Sequence, residues 1–142
     1  MKVPDVNVLL YAIDESSSRH SAARQWLEEA LSGTEEVGFA WAVLFGFLRI
    51  STNPVVFENP LEPEEAFSYA EEWLAQPVAM ALSPGPGHME LVQHLLRPLG
   101  VAGNLTSDAH LAALAIEHGA ELCSSDTDFA RFEGLRWRNP LS

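Results

Sequence analysis

Short apolar runs of strand character alternate along this chain with apolar residues at helical spacing, and that alternation restricts the fold more than any other feature. Strand-like runs fall at 2–4, 37–40, 78–82, 121–123 and 135–137. Between them, Val6, Leu9, Leu10 and Ile13 recur at a period near 3.6, as do Ala22, Ala23, Trp26, Leu27, Ala30 and Leu31 before Gly33. Residues 41–50 are apolar on most sides, as in a helix held between layers. Pro63 opens a further helix with Glu64 and Glu65 in its first turn. Residues 88–99 and the stretch from Asn104 to Gly119 supply two more. A helix between two strands lets them run parallel, which a tight turn does not. The expected fold class is therefore α/β: one domain over residues 1–142, three α/β/α layers, and a mainly parallel central sheet.

Charge narrows the function. The chain has 142 residues and a formal net charge of -12, which argues against a free-standing nucleic-acid binder held by a basic surface. A phosphate substrate would need bound cations, locally gathered arginines or a basic partner protein. No apolar run approaches the roughly 18 residues of a spanning helix, and the start of the chain lacks a secretory pattern, so the expectation is a cytoplasmic protein without membrane contact. The lone Cys123 has no partner for a disulfide or a C-x-x-C site.

Among many glutamates there are only five aspartates: Asp5, Asp14, Asp108, Asp126 and Asp128. Asp5 and Asp126 directly follow strands, Asp128 lies two residues on, and Asp108 falls in the first turn of a helix that precedes a strand. Ligands of open α/β sheets bind beyond the carboxyl ends of the strands, so such carboxylates can meet in one cleft. Clustered carboxylates repel unless a cation joins them, and hard oxygen donors suit Mg²⁺ or Mn²⁺. Each aspartate also has an ordinary structural use: Asp5 as a helix cap, Asp108 as a favourable N-terminal charge, Asp126 and Asp128 as turn residues.

Other candidates carry two readings as well. Asn7 either orients Asp5 or completes an Asx turn, and Ser124 either bonds a metal ligand or caps the next turn. Arg49 faces a phosphate or pairs with a surface acid such as Glu58. His110 touches substrate or is an ordinary helix residue. Arg131, Arg136 and Arg138 form a small basic cluster suited to RNA or to an acidic segment, unless they are scattered surface charge. No G-x-S-x-G, H-E-x-x-H or G-x-x-x-x-G-K-[ST] motif occurs, and the only lysine is Lys2.

Three segments in order carry a family likeness. Asp5-Val6-Asn7 resembles the D-x-N opening of PIN domains, and Ser124-Ser125-Asp126-Thr127-Asp128-Phe129 resembles their closing [ST]-x-D-x-D-F. Between them, the segment from Asn104 to Ala115 looks like the helix that bears a further metal-site aspartate in toxins of the VapC type. The resemblance implies a PIN-like domain that hydrolyses RNA internally with Mg²⁺ or Mn²⁺. It implies metal held by Asp5, Asp108 and Asp126, with Asp128 joining the catalytic set, Asn7 and Ser124 supporting, and Arg49 and His110 as candidate RNA contacts. It also implies a homodimer silenced by a cognate antitoxin protein. One position departs from the pattern: Gly46 stands where family members usually carry a glutamate, which is read here as a subfamily feature. That gap keeps open a catalytically weakened binding or regulatory module. A metal-dependent phosphatase on a similar sheet is a further alternative.

Overall fold

A computed structural model describes residues 1–142. Lys2–Pro4 (β1) leads through helices α1 (Val6–Ile13) and α2 (His20–Ser32) to β2 (Val37–Ala40). Helices α3 (Trp41–Ser51) and α4 (Pro63–Leu74) then connect to β3 (Ala79–Leu82). Helices α5 (His88–Leu96) and α6 (Leu105–Glu117) return the chain to β4 (Glu121–Cys123), and a 3-10 turn at Thr127–Arg131 precedes β5 (Arg136–Arg138). The five strands lie in the order β3-β2-β1-β4-β5 and every neighbouring pair is parallel. The expected α/β layering with a mainly parallel sheet is therefore met by a sheet that is parallel throughout.

Two crossovers step from β1 to β2 to β3 in one direction, and the next jumps back past β1. Right-handed connections then put α1 to α4 on one face and the α5–α6 pair on the other. The direction reverses between β1 and β4, so their carboxyl ends flank the topological switch point, where α/β sheets bind ligands. The sequence positions that follow these two strands are Asp5 and Ser124.

The core explains why these elements hold. Val3, Phe39 and Leu122 of the sheet are fully buried, as are Leu9 and Phe47 of the covering helices. The Trp73 ring of α4 stacks on Phe39 at 6.3 Å and meets Phe47 edge-on at 4.8 Å, which ties α3 and α4 to β2. Helix α4 starts at Pro63 because the fixed φ of proline suits a first turn, and the Glu62 amide donates to Glu65 Oε1 at 3.2 Å to satisfy one free donor.

Proline also accounts for two local outcomes. The helix expected over 88–99 stops at Leu96 and tightens into a 3-10 turn at Arg97–Leu99, because Pro98 has no N–H for the next helical bond. Gly100, at φ 68°, ends it in the left-handed region. Pro4 closes β1: the Lys2 amide donates to Glu36 O, so the same parallel register would aim an amide at residue 4 toward the Gly38 carbonyl. The proline ring supplies none. The ladder from β1 to β2 accordingly has one paired position, Lys2 with Val37, against three between β1 and β4.

Gly46, in the interior of α3, has room for a side chain. A β-carbon there would lie 3.5 Å from Val6 Cγ2, an ordinary contact. Gly46→Ala is therefore expected to raise stability by about 0.5–1 kcal/mol, read as a higher denaturation midpoint, since alanine removes the helix penalty of glycine without crowding. An unchanged or lower midpoint would show that the backbone at this position is not relaxed helix.

Candidate active site

The site grows from the two strand ends at the switch point. Asp5 leaves β1 in extended conformation and caps α1, its Oδ1 accepting from the Val6 amide at 2.7 Å. Its Oδ2 accepts twice, from Ser124 Oγ at 2.7 Å and from Asn7 Nδ2 at 3.2 Å. A carboxylate offers about four lone-pair positions, so one direction on Oδ1 remains free. Ser124, fully buried just past β4, also accepts from Asn7 Nδ2 at 3.1 Å and from the Asp126 amide at 3.0 Å. One donor and two acceptor positions exhaust a hydroxyl, so Ser124 is saturated. Asn7 Oδ1 accepts from the Ser125 amide at 3.2 Å. These bonds stitch the two strand ends together: Ser124 both closes the turn that follows it and bonds Asp5, whereas Asn7 bonds Asp5 and forms no Asx turn of its own, its Oδ1 being taken by the distant Ser125 amide.

Three further carboxylates converge in front of this network. Ligand oxygens of Asp108, Asp126 and Asp128 all lie within 4.8 Å of one another. Asp108 comes from the first turn of α6; Asp126 and Asp128 come from the segment after β4, where Asp126 Oδ1 accepts from the Asp128 amide at 2.9 Å. Asp5 stands behind them, more buried. The resemblance implied Asp5, Asp108 and Asp126 as the metal set; the oxygens that actually converge include Asp128, while Asp5 spends most of its hydrogen-bonding capacity within the protein.

Crowding of charge is visible in the proton affinities. Asp108 is pushed up from 3.8 to about 6, first by burial and then by Asp126, Asp5 and Asp128. No hydrogen bond to its side chain counters that repulsion. Asp5 is raised by burial above all, with Ser124 and Val6 pulling down and Asp126 pushing up. Oxygen-only donors at this spacing, without sulfur or imidazole among them, fit a hard divalent cation. Such an ion would offset the repulsion that adds to burial in raising both groups.

Two candidates lie elsewhere. A step of two residues along α6 turns His110 about 200° from Asp108, and its ring faces α5. There His110 Nδ1 meets His88 Nε2 at 2.7 Å, His88 Nδ1 bonds Glu117, and Glu117 Oε2 accepts from the Gly85 amide at 2.5 Å. His110 is thus part of a helix-packing relay and is not brought to the aspartates. Arg49 is exposed in the last turn of α3 and makes no ion pair, so its expected partner Glu58 does not engage it. Gly46 faces Val6, next in chain to Asp5, and α3 brings no acid to the cluster.

One support carries no mark in the sequence: Trp137 of β5 donates from Nε1 to the Ser124 carbonyl at 3.0 Å and so fixes the backbone of the buried serine. Thirteen residues separate them, and no local motif marks the pairing.

An all-parallel sheet of this order, with aspartates gathered at its switch point, is the arrangement of a PIN domain. The sequence profile of the PIN domain family matches residues 2–135, and the chain belongs to that family. It is 46% identical over 140 residues to Ribonuclease VapC37 of Mycobacterium tuberculosis, covering 99% of this chain and 97% of that protein. It is 45% identical over 141 residues to Ribonuclease VapC33 of the same species, covering 99% of each. Among solved structures, VapBC2 from Rickettsia felis bound to a promoter DNA fragment superposes with a TM-score of 0.71 at 18% identity, over 97% of both chains. The sarcin-ricin loop cleaving toxin VapC20 of Mycobacterium tuberculosis gives 0.68 at 16% identity, over 96% of this chain and 99% of that one. At those identities the structural matches speak for the fold alone.

Proposed function

We propose that the chain is an endoribonuclease, the toxin of a type II toxin–antitoxin pair, which hydrolyses RNA phosphodiester bonds with Mg²⁺ or Mn²⁺. The observation that carries this reading is the convergence of Asp108, Asp126 and Asp128 in front of Asp5, in a chain so similar over its full length to named VapC ribonucleases.

Asp108 and Asp126 would hold the ion, with Asp128 at the exposed edge and the free direction of Asp5 Oδ1 behind. When bound, such an ion lowers the pKa of a coordinated water and offsets charge on the phosphoryl oxygens. The protein's own part is positioning. Ser124 and Asn7 fix the rotamer of Asp5, and the Asp128 amide fixes Asp126, so the carboxylates meet their ligand already aimed. An ion in the cleft also answers the charge of -12, because phosphate is attracted by the local cation and not by the net charge.

The partner in this reading is an antitoxin protein with basic groups. A groove of about 410 Å³ between α2 and α4, with Leu27, Leu31, Tyr69 and Trp73 on its walls and Glu15 and Glu72 beside the Arg24–Glu28 pair, suits an apolar segment with a basic group. Trp41 and Phe45 of α3, half exposed and stacked at 6.2 Å, offer apolar surface to a second copy and support a homodimer.

The decisive experiment is cleavage of bacterial RNA by purified, antitoxin-free chain with Mg²⁺, Mn²⁺ or EDTA. Discrete products that require metal support the nuclease; no cleavage under any metal returns the chain to the binding-module reading that Gly46 keeps open. Metal affinity carries its own signature. Ligands bind deprotonated, and Asp108 in the metal-free protein holds its proton up to about 6. Mn²⁺ affinity measured calorimetrically is expected to be flat above pH 7 and to fall roughly tenfold per unit below about pH 6. An affinity that stays level down to pH 5 would remove Asp108 from the ligand set.

A further inference from the structure

Arg131 ends the 3-10 turn that carries Asp128. In a 3-10 helix, residues three apart project from the same side, about 6 Å apart along the axis. Asp128 and Arg131 stand in that relation, and both line one open pocket of about 580 Å³ together with Val101, Gly103 and Asn104 of the loop before α6 and Leu105 at its start. No ion pair or hydrogen bond engages the Arg131 guanidinium, as is also true of Arg49, Arg97 and Arg138. The side chain is exposed, in a protein where acids outnumber bases 20 to 8.

We propose that this pocket is a substrate subsite in which Arg131 binds the RNA phosphate next to the one being cleaved; the assignment rests on the ribonuclease reading above. The Asp108, Asp126 and Asp128 cluster marks where the scissile phosphate sits with its cation. Arg131 lies one 3-10 turn from Asp128 on the same edge, about 6 Å along the axis. A guanidinium offers paired N–H donors to phosphate oxygens, and its charge is not spent on a protein acid. The wall formed by Val101 and the loop glycine leaves room for a nucleotide, with no bulky side chain intruding at Gly103. The acidic cluster attracts only the cation, so the cleft otherwise repels the neighbouring phosphates. Arg131 offsets that repulsion at the nearest one.

The experiment is steady-state cleavage of a single-stranded oligoribonucleotide by Arg131→Gln and Arg131→Lys in Mn²⁺, with Arg97→Gln as a control for lost charge. Arg131→Gln is expected to raise KM about tenfold with kcat within about threefold, because a phosphate contact away from the reacting atoms binds ground and transition states alike. The slope of log kcat/KM against log salt should shrink by about 0.7, the value for one phosphate contact on a single strand. Arg131→Lys should recover part of the loss, and Mn²⁺ affinity and melting temperature should not change. A KM and salt slope equal to wild type, or equal effects from Arg97→Gln, would overturn the subsite. Failure of the wild-type chain to cleave RNA would instead remove the nuclease reading beneath it.

Discussion

Asp108→Asn is expected to lower metal-dependent RNA cleavage on the order of 10³-fold, about 4 kcal/mol of barrier, while raising the melting temperature of the metal-free protein. The two effects have one cause. Asp108 is half-buried and faces Asp126, Asp5 and Asp128, and its proton affinity in the fold is raised from 3.8 to about 6. A carboxyl whose folded pKa is raised costs stability once it ionises. That cost is absent below about pH 4, grows as the pH climbs toward 6, and is complete above it. An amide of the same shape carries no charge and so escapes it. After allowance for solvent screening of a half-exposed group, the gain at pH 7.5 is about 1 kcal/mol, or about 3 °C for a chain of this size. Added Mn²⁺ should then stabilise the wild type and leave the variant unmoved, since only a ligand that binds the native state shifts its melting. A variant that melts lower than wild type without metal, or cleaves as fast with it, would remove Asp108 from a repelling metal cluster.

Ser124→Ala strikes the same site from behind. The buried hydroxyl is the single group that bonds Asp5, Asn7 and the Asp126 amide together. Without it, the part-buried Asp126 amide loses its acceptor, Asn7 Nδ2 keeps only Asp5, and Asp5 loses the hydrogen bond that most holds its proton affinity down. Stability should fall by about 1–3 kcal/mol, the usual cost of leaving such donors unsatisfied. Cleavage should drop about 10–100-fold, as for other partners that orient metal-binding groups. Its pH profile should also shift upward, because Asp5 then ionises later. Loss of stability with an unshifted profile would mean that Ser124 serves the fold only.

How much of this was legible along the chain follows from how local each cause is. Helix periodicity, strand runs and the prolines act over a few residues, so the α/β class and nearly every element could be placed before any coordinates. The exceptions are local too: Pro98 shortens α5 by a turn, and the last strand runs one residue later, at Arg136–Arg138. The aspartates could be named because strand ends of a parallel sheet share one edge. Which of their oxygens stay free to converge could not, because that depends on which lone pairs of Asp5 are already taken by Ser124, Asn7 and Val6. Likewise, nothing near His110 announces that His88 and Glu117, 22 and 7 residues away along the chain, turn it toward α5. Arg131 reads along the chain as one of three tail arginines; only the 3-10 geometry sets it beside Asp128.

The missing amide at Pro4 has a mechanical consequence. Native sheets breathe, and they part first where the fewest hydrogen bonds must break. Here that seam runs between β1 and β2, with a single paired residue, while β1 and β4 stay joined through three and are further bound by the Asp5 amide to the Cys123 carbonyl at 2.9 Å. In native-state hydrogen exchange, the Gly38 amide on the seam should open more often than the Asp5 and Cys123 amides. The strands that carry Asp5 and Ser124 are then expected to move as one unit, so that the candidate site keeps its spacing through fluctuations that loosen the far half of the sheet.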